Sequence, residues 1–304
     1  MHRETDQWRA TRSPFQLSTV HVTSSTIHSL SLRAFHARSL FYLYTSHKQR
    51  LFRCVFLHSM APSFNLPCQC VKELNDESDF EALASPDGYI SICGFGSLLS
   101  EKSARSTFPD LINFRIAKLT GFRRVFTIVG GFFFTRGIAN IKTQEVAALS
   151  VEPCESETII VTVFEIKKTE IPAYIERERE YRFLAVFPES LDGEPFANPA
   201  VLCASYTDEE FFKFRCKESK EVYFQQYGEY EVHKIWRDDV FPCRVYLRHC
   251  LLAAKSLGDE AYNNFLDHTY LADRETSIRK YFERVGSSIM DEEPPQSLKT
   301  RYGG

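Results

Sequence analysis

The sequence of 304 residues contains no run of about 18 apolar residues, so we expect no membrane-spanning segment. It also has no overall excess of basic residues, because its formal net charge is -3, and this argues against a broad nucleic-acid surface. It lacks an Asn-X-Ser/Thr sequon, and its nine cysteines are scattered and odd in number. These features favour a reducing intracellular compartment over secretion.

Signature motifs of several enzyme classes are missing as well. We find no Gly-X-Ser-X-Gly nucleophile turn, no phosphate-loop Gly-Lys-Ser/Thr and no His-Glu-X-X-His metal motif. Cys68 and Cys70 lie close together, but no second Cys or His pair stands at a matching spacing, so we expect no metal there. Aromatic residues, in contrast, are abundant: 26 Phe and 14 Tyr are enough for a sizeable core.

The two ends of the chain differ from its middle. Residues 1–59 carry eight Arg or Lys against two acids, with many Ser, Thr and His, and their apolar residues show no sustained period. This composition resembles an organellar transit peptide. An equally good interpretation is that the segment lies upstream of a translation start at Met60. A nucleic-acid-binding arm is the weaker alternative. We therefore expect the protein in the cytoplasm, or in the chloroplast or mitochondrion if residues 1–59 are a transit peptide. Residues 60–88, which contain three prolines, read as a linker and lead-in.

Residues 89–99 form the stretch around which the rest is organised. An apolar run rich in Ile predicts a buried strand, which breaks at Gly94-Phe95-Gly96-Ser97. Two glycines allow a turn and a close approach of a ligand, and a helix start follows at residue 100. Such a turn can present backbone N–H groups to an anionic group, or it can be a tight corner only.

The chain is strand-rich up to residue 166. Segments 121–129, 145–151 and 158–166 predict strands, and no long helix separates them. We therefore expect largely antiparallel, meander-like pairing.

Residues 170–180 change to a helical period, with Thr169 as the predicted cap and Pro172 in the first turn. At about 100° per residue, Glu178 shares a face with apolar residues, whereas the neighbouring charges point elsewhere. Burial of a carboxylate raises its pKa, which suits a group that carries a proton near neutral pH. Alternatively, the helix ends before Glu178 and the Glu-Arg-Glu-Arg-Glu run is a solvated surface.

Together these motifs resemble the gamma-glutamylcyclotransferase superfamily, including its ChaC-type members. Phe95-Gly96-Ser97-Leu98 is similar to the family's aromatic-Gly-Ser-Leu/Asn loop, and Gly121-Phe122-Arg123-Arg124 to its Gly-Tyr-Arg-like strand. Residues 137–141 are similar to its Ala-Asn-Ile segment, and residues 177–181 to its catalytic-glutamate region. The resemblance covers roughly residues 89–187. Phe95 stands where the family usually has Tyr, so a hydroxyl is missing there.

The resemblance implies an α+β fold: a small mixed, largely antiparallel β-barrel with flanking helices. It implies that Phe95, Gly96, Ser97 and Leu98 bind a gamma-glutamyl group and that Glu178 moves a proton, with Glu180 as the fallback. The substrate's alpha-amine then attacks its own gamma-carbonyl and 5-oxoproline leaves, without a metal, a cofactor or an enzyme nucleophile. The implied substrate is a gamma-glutamyl amine, a gamma-glutamyl peptide or glutathione, so the enzyme belongs to glutathione metabolism as a lyase or acyl transferase.

The remaining chain is predicted to be mainly helical. We divide it into a cyclotransferase-like domain at 89–200, a helical extension at 201–290 with helices near 244–254, 259–266 and 273–285, and a disordered tail at 291–304. The extension could cover the sheet or bind a protein partner; we expect no nucleic acid and no membrane as partners. A catalytically inactive binding module on the same fold is the alternative to an enzyme.

Overall fold

Eight strands form one mixed sheet in the computed structural model, which describes residues 70–230, 232–285 and 287–303. The predictions for residues 1–59 and for residues 60–69 of the lead-in lie outside these residues, whereas the rest of the predicted linker contains a strand and a short helix. The strands are β1 (Cys70–Leu74), β2 (Tyr89–Gly94), β3 (Ile112–Val129), β4 (Glu145–Lys167), β5 (Arg182–Val186), β6 (Ala200–Ala204), β7 (Phe241–Pro242) and β8 (Thr269–Tyr270). Their order is β1-β5-β6-β2-β4-β3-β8, with β7 paired to β4.

The long ladders are antiparallel, as the sequence predicts, but the predicted barrel is wrong. Parallel pairing is confined to β2 with β6, β3 with β8 and β4 with β7. Among the described strands no ladder joins β1 to β8, so the sheet stays open. The outer edge of β3 is instead covered by residues 235–237, since Val129 N–H donates to Ile235 O and Arg237 N–H donates to Thr127 O. With that edge occupied, β3 cannot close a barrel.

The centre of the sheet is a bent ribbon made by β3 and β4. Thr120 pairs with Thr158 and Phe122 with Pro153, so four residues of β4 bulge out opposite one residue of β3. That one residue is Gly121, whose φ of 84° lies in the left-handed region that glycine adopts without strain. The three separate strands predicted from the sequence are therefore parts of two long, bent ones.

Ten α-helices accompany the described part of the sheet. They are α1 (Glu77–Glu81), α2 (Glu101–Arg105), α3 (Gly131–Thr135), α4 (Ile171–Arg177), α5 (Asp208–Phe214), α6 (Lys220–Tyr227), α7 (Arg244–Ser256), α8 (Asp259–Asp267), α9 (Ile278–Val285) and α10 (Lys299–Tyr302). The three predicted C-terminal helices are confirmed, although α9 starts five residues later than expected. None of the described helices is long and apolar enough to cross a bilayer.

The longest helix, α7, packs behind the turn that follows β2. Its residues Leu247, Cys250 and Leu251 are fully buried, as its apolar periodicity predicts. Burial of each leucine contributes about 1.5–3 kcal/mol relative to an exposed position. This packing ties the C-terminal part of the chain to the sheet.

The segments drawn from the sequence share this sheet. The expected boundary at residue 200 falls at the first residue of β6, and β7 and β8 lie within the predicted helical extension. The segment predicted as a disordered tail contains a 3-10 turn at Gln296–Leu298 followed by α10. Leu298 and Tyr302 are buried there, and the Tyr302 ring packs against the rings of Phe132, Tyr246 and His249.

Candidate active site

The turn after β2 is packed so tightly that residue 94 has to be glycine. A Cβ at Gly94 would lie 2.6 Å from Thr162 Oγ1 and 2.7 Å from Leu98 Cβ, closer than real contacts allow. The Thr162 hydroxyl donates a hydrogen bond of 2.8 Å to Leu98 O, which folds the turn back onto β4. The close approach at this glycine, which the sequence predicts for a ligand, is therefore made by Thr162 of β4.

Beyond Gly94 the turn contains two backbone N–H groups that have no acceptor among the described residues. A 3-10 turn spans Ser97–Leu99, and its first hydrogen bond runs from Leu99 N–H to Gly96 O at 2.9 Å. The N–H groups of Ser97 and Leu98 precede that bond, and within the described residues no acceptor is found for them. They are therefore available to a ligand. The predicted helix start is confirmed at Ser100, which caps α2.

A buried arginine on β3 holds the turn from behind. Arg124 Nε donates to Phe95 O at 3.0 Å, Nη2 donates to Ile160 O, and Nη1 lies 3.2 Å from Asn264 Oδ1. The side chain is fully buried, and burial lowers its pKa to about 9. Sequence reasoning assigned Arg124 no role. The signal was a charge among the inward-facing, otherwise apolar positions of a strand.

Glu178 lies directly after α4, which ends at Arg177 rather than continuing to residue 180. The predicted Thr169 cap is also wrong, because residues 168–170 form a 3-10 turn ahead of the helix. Glu178 N–H still donates to Tyr174 O at 3.0 Å, so the helical hydrogen-bond pattern extends to this residue. That side chain is 15 % exposed. It is neither in the core nor on the open surface.

The side chain of Arg177, which sequence reasoning missed, connects Glu178 to the glycine turn. Its Nε donates to Glu178 Oε1 at 2.8 Å, its Nη2 donates to Ser97 Oγ at 3.3 Å, and its Nη1 donates to Thr107 Oγ1. The Arg177 side chain is only 4 % exposed. Such a planar fork fixes three groups at once, so the carboxylate and the turn are held in one arrangement.

Glu178 and the turn line a cleft with an inner and an outer part. The inner part is a recess of about 20 Å³ beside Phe95, Gly96, Ser97 and Leu98, and Glu178 also lines it. The outer part is a cavity of about 560 Å³ that shares Ser97 and Glu178 with the recess. All four residues predicted to bind the substrate therefore lie beside the predicted catalytic carboxylate.

Glu180, the fallback carboxylate, lies farther out. It lines the outer cavity but not the recess. Burial raises its pKa, while a hydrogen bond of 3.0 Å from Tyr227 OH and one from the Gly131 N–H lower it. Of these two carboxylates, Glu178 lines both parts of the cleft and Glu180 lines one, so the position relative to the turn distinguishes them.

Two side chains of α7 complete the surroundings of the turn. Tyr246 OH approaches so closely that a Cβ at Gly96 would lie 2.6 Å from it, and Tyr246 also lines the recess. His249 is fully buried, with Nε2 3.4 Å from Ser97 O. Burial lowers the pKa of His249 to about 4, so the ring is neutral at pH 7. A neutral buried ring packs the turn and adds no charge.

No protein-family model matches the chain, and no curated protein matches it significantly. Solved structures that it resembles include an uncharacterized protein from Homo sapiens and a gamma-glutamyl cyclotransferase, each at 16% identity and a TM-score of 0.32, covering 50% of this chain and 90% of theirs. A protein from Arabidopsis thaliana has 15% identity and a TM-score of 0.31, covering 49% of this chain and 97% of its own. At these values a functional assignment has to come from the residues of the cleft.

Proposed function

We propose that the chain is a gamma-glutamylcyclotransferase-type enzyme that releases 5-oxoproline from a gamma-glutamyl compound. The substrate's neutral alpha-amine attacks its own gamma-carbonyl carbon, a C–N bond closes the lactam, and the bond from that carbon to the leaving nitrogen breaks. Glu178 accepts the proton lost by the attacking nitrogen and returns one to the leaving nitrogen. The reaction is intramolecular, so positioning and one proton carrier are sufficient.

The observation that carries this proposal is the position of one carboxylate beside free backbone donors. Glu178 lines the same recess as Ser97 and Leu98, whose N–H groups have no acceptor among the described residues. In the proposed complex these N–H groups bind the gamma-glutamyl group, and Glu178 reaches its alpha-amine. A carboxylate also attracts the ammonium form of that amine, which helps to orient it.

Arg177 has a positioning role in this scheme. Its guanidinium donates hydrogen bonds to Glu178, Ser97 and Thr107, so the carboxylate is held at a fixed distance from the turn. A base held in one orientation accelerates proton transfer without a cost of ordering it for each turnover.

The missing hydroxyl at Phe95 has a nearby substitute. The family that the sequence resembles usually has Tyr at this position, whereas here the Tyr246 hydroxyl lies against Gly96 in the same recess. We propose that Tyr246 orients the substrate at the turn. Phe95 then serves to pack the turn, in keeping with its burial.

The experiment is a panel of gamma-glutamyl amines, amino acids, peptides and glutathione, incubated with the purified chain. The proposal predicts that 5-oxoproline and the free amine appear in a 1:1 ratio with at least one substrate. If glutamate appears in place of 5-oxoproline, water is the nucleophile and the cyclisation step is wrong. If no substrate is cleaved, the enzyme proposal is wrong.

A catalytically inactive binding module is the second candidate, and one observation favours it. The Glu178 carboxylate is already engaged by Arg177, whose positive charge opposes protonation of that carboxylate. This candidate predicts calorimetric binding of gamma-glutamyl compounds without release of 5-oxoproline.

A further inference from the structure

The outer wall of the cleft is formed in part by α10, the helix at Lys299–Tyr302. The ring of Tyr302 packs 4.8 Å from the ring of His249 and 5.8 Å from the ring of Tyr246, centroid to centroid. With Tyr302 anchored in this way, the preceding residue, Arg301, lines the outer cavity together with Glu178 and Ser97. The Arg301 guanidinium carbon lies 4.7 Å from the centre of the Phe132 ring, and this cation–π contact holds the side chain in place.

Three arginines line the outer cavity, and two of them are paired. Arg177 is bonded to Glu178, and Arg179 lies 3.1 Å from Glu176. For Arg301, the described residues provide ring contacts and the charge of Glu178 nearby, but no carboxylate within ion-pair distance and no hydrogen-bond acceptor, and its Nε is buried. Buried donors of a cation without an acceptor are costly, so this position suits an anionic group from a ligand.

The electrostatic surroundings of Arg301 agree with this geometry. Burial lowers the pKa of Arg301 and the nearby positive charge of Arg177 lowers it further, while the negative charge of Glu178 offsets part of this shift. A bound anion near both guanidiniums would relieve both effects. The four acids that line the cavity are engaged: Glu178 and Glu176 by arginines, Glu180 by the Tyr227 hydroxyl and Glu229 by the Tyr230 hydroxyl.

The position of Arg301 indicates which part of a substrate it would contact. Glu178 and Ser97 line both the recess and the outer cavity, whereas Arg301 lines the outer cavity only. A gamma-glutamyl group held at the turn would direct its leaving amine outward. The group attached to that amine would therefore lie toward Arg301.

We propose that Arg301 binds a carboxylate on the leaving-amine half of the substrate. This inference rests on the function proposed above and narrows its substrate class. The chain then acts on gamma-glutamyl amino acids or peptides, whose leaving amine carries a carboxylate, in preference to gamma-glutamyl alkylamines, which have none.

The test uses two compounds that differ only in that carboxylate, gamma-glutamyl-L-alanine and gamma-glutamylethylamide. For the wild-type chain we expect a kcat/KM about tenfold or more higher with the alanine compound, as a hydrogen-bonded charge would give. Arg301→Met, which keeps the apolar stem over Phe132, should remove this preference, and Arg301→Lys should retain part of it. Lys299→Met is the matched control, since it removes one positive charge from the same helix outside the cavity.

The dissociation constants of both compounds are measured by calorimetry alongside turnover, so that the two proposals can fail separately. Turnover of both compounds at equal kcat/KM, unchanged by Arg301→Met, overturns the Arg301 assignment and leaves cyclisation intact. Binding of the alanine compound that depends on Arg301, without 5-oxoproline, overturns cyclisation and leaves the carboxylate contact intact.

The remaining outcomes of this experiment also test the two proposals. Equal losses for both compounds in Arg301→Met mean that the arginine contacts the gamma-glutamyl half, which contradicts the proposal. Absence of binding and turnover for both compounds contradicts both proposals. If Arg301→Met fails to fold, the wild-type preference and the Arg301→Lys variant still carry the test.

Discussion

Arg177 Nη2 lies 3.3 Å from Ser97 Oγ, so the end of α4 is bonded directly to the glycine turn 80 residues earlier in the chain. The same guanidinium holds Glu178 at 2.8 Å. This one side chain therefore sets the distance between the proposed proton carrier and the proposed binding turn.

Replacing Arg177 should separate these two parts of the site. We expect Arg177→Met to lower kcat/KM by at least tenfold and the free energy of unfolding by about 3 kcal/mol, because a buried pair loses one partner. Arg177→Lys should not restore activity, since a single ammonium group cannot reproduce a three-way fork. Activity assays and urea unfolding measure both effects. Arg179→Met, whose side chain is more exposed, is the control; equal losses in both variants would refute a special role for Arg177.

Gly94 and Gly130 form a matched pair for testing the packing of the turn. Gly94→Ala should lower the free energy of unfolding by about 1–3 kcal/mol, because its Cβ would overlap Thr162 and Leu98. At Gly130 a Cβ meets nothing within 4 Å and φ is -77°, so Gly130→Ala should change stability by less than about 1 kcal/mol. Urea unfolding of both variants checks this. A harmless Gly94→Ala would contradict the crowding at the turn.

Adjacent arginines on β3 should respond differently to replacement. Arg124→Met leaves Phe95 O without its buried donor, and we expect a loss of about 1–3 kcal/mol of stability together with a higher KM. Arg123 pairs near the surface with Glu152, which also contacts Arg274, so Arg123→Met should cost less than about 1 kcal/mol. Equilibrium unfolding and steady-state kinetics compare the two. An unchanged KM in a folded Arg124→Met protein would remove Arg124 from the support of the turn.

His249 should make stability depend on pH in an acid window. Its pKa is about 4 in the folded chain against an ordinary value of 6.5, so the unfolded chain binds more protons between these values. Stability from this group is present above pH 6.5 and is lost as the pH falls toward 4, by about 2 kcal/mol between pH 7 and pH 5. Urea unfolding at several pH values should show a shallower dependence for His249→Gln. The same change at the exposed His233 should leave the dependence as in the wild type, and identical slopes for all three proteins would contradict the argument.

Local patterns were sufficient to predict much of the site. The apolar run before Gly94 predicted β2, the paired glycines predicted the turn, and the helical period placed Glu178 on an inward face. These features depend on neighbouring residues in the chain, so they can be read from the sequence. The role of Glu178 itself stays a prediction until activity is measured.

Other parts of the site depend on distant contacts. Arg124 is satisfied by Phe95, Ile160 and Asn264, and Tyr302 is buried against residues of α7, so the partners of neither residue can be identified from its sequence neighbours. The open sheet likewise follows from residues 235–237 covering β3, which periodicity cannot predict. Arg177 was missed because its partners Ser97 and Thr107 lie in a distant part of the chain, which the helical period does not reveal.

Parallel assays of three isosteric variants, Glu178→Gln, Glu180→Gln and Glu176→Gln, test the central claim most directly. With the substrate on which the wild type is most active, Glu178→Gln should lower kcat by 10²–10⁴-fold, as loss of a general acid–base group does. Glu180→Gln should lower it by less than about tenfold, and Glu176→Gln, whose side chain is 74 % exposed, should stay within about twofold of the wild type. Release of 5-oxoproline by Glu178→Gln at the wild-type rate would contradict the proposed mechanism.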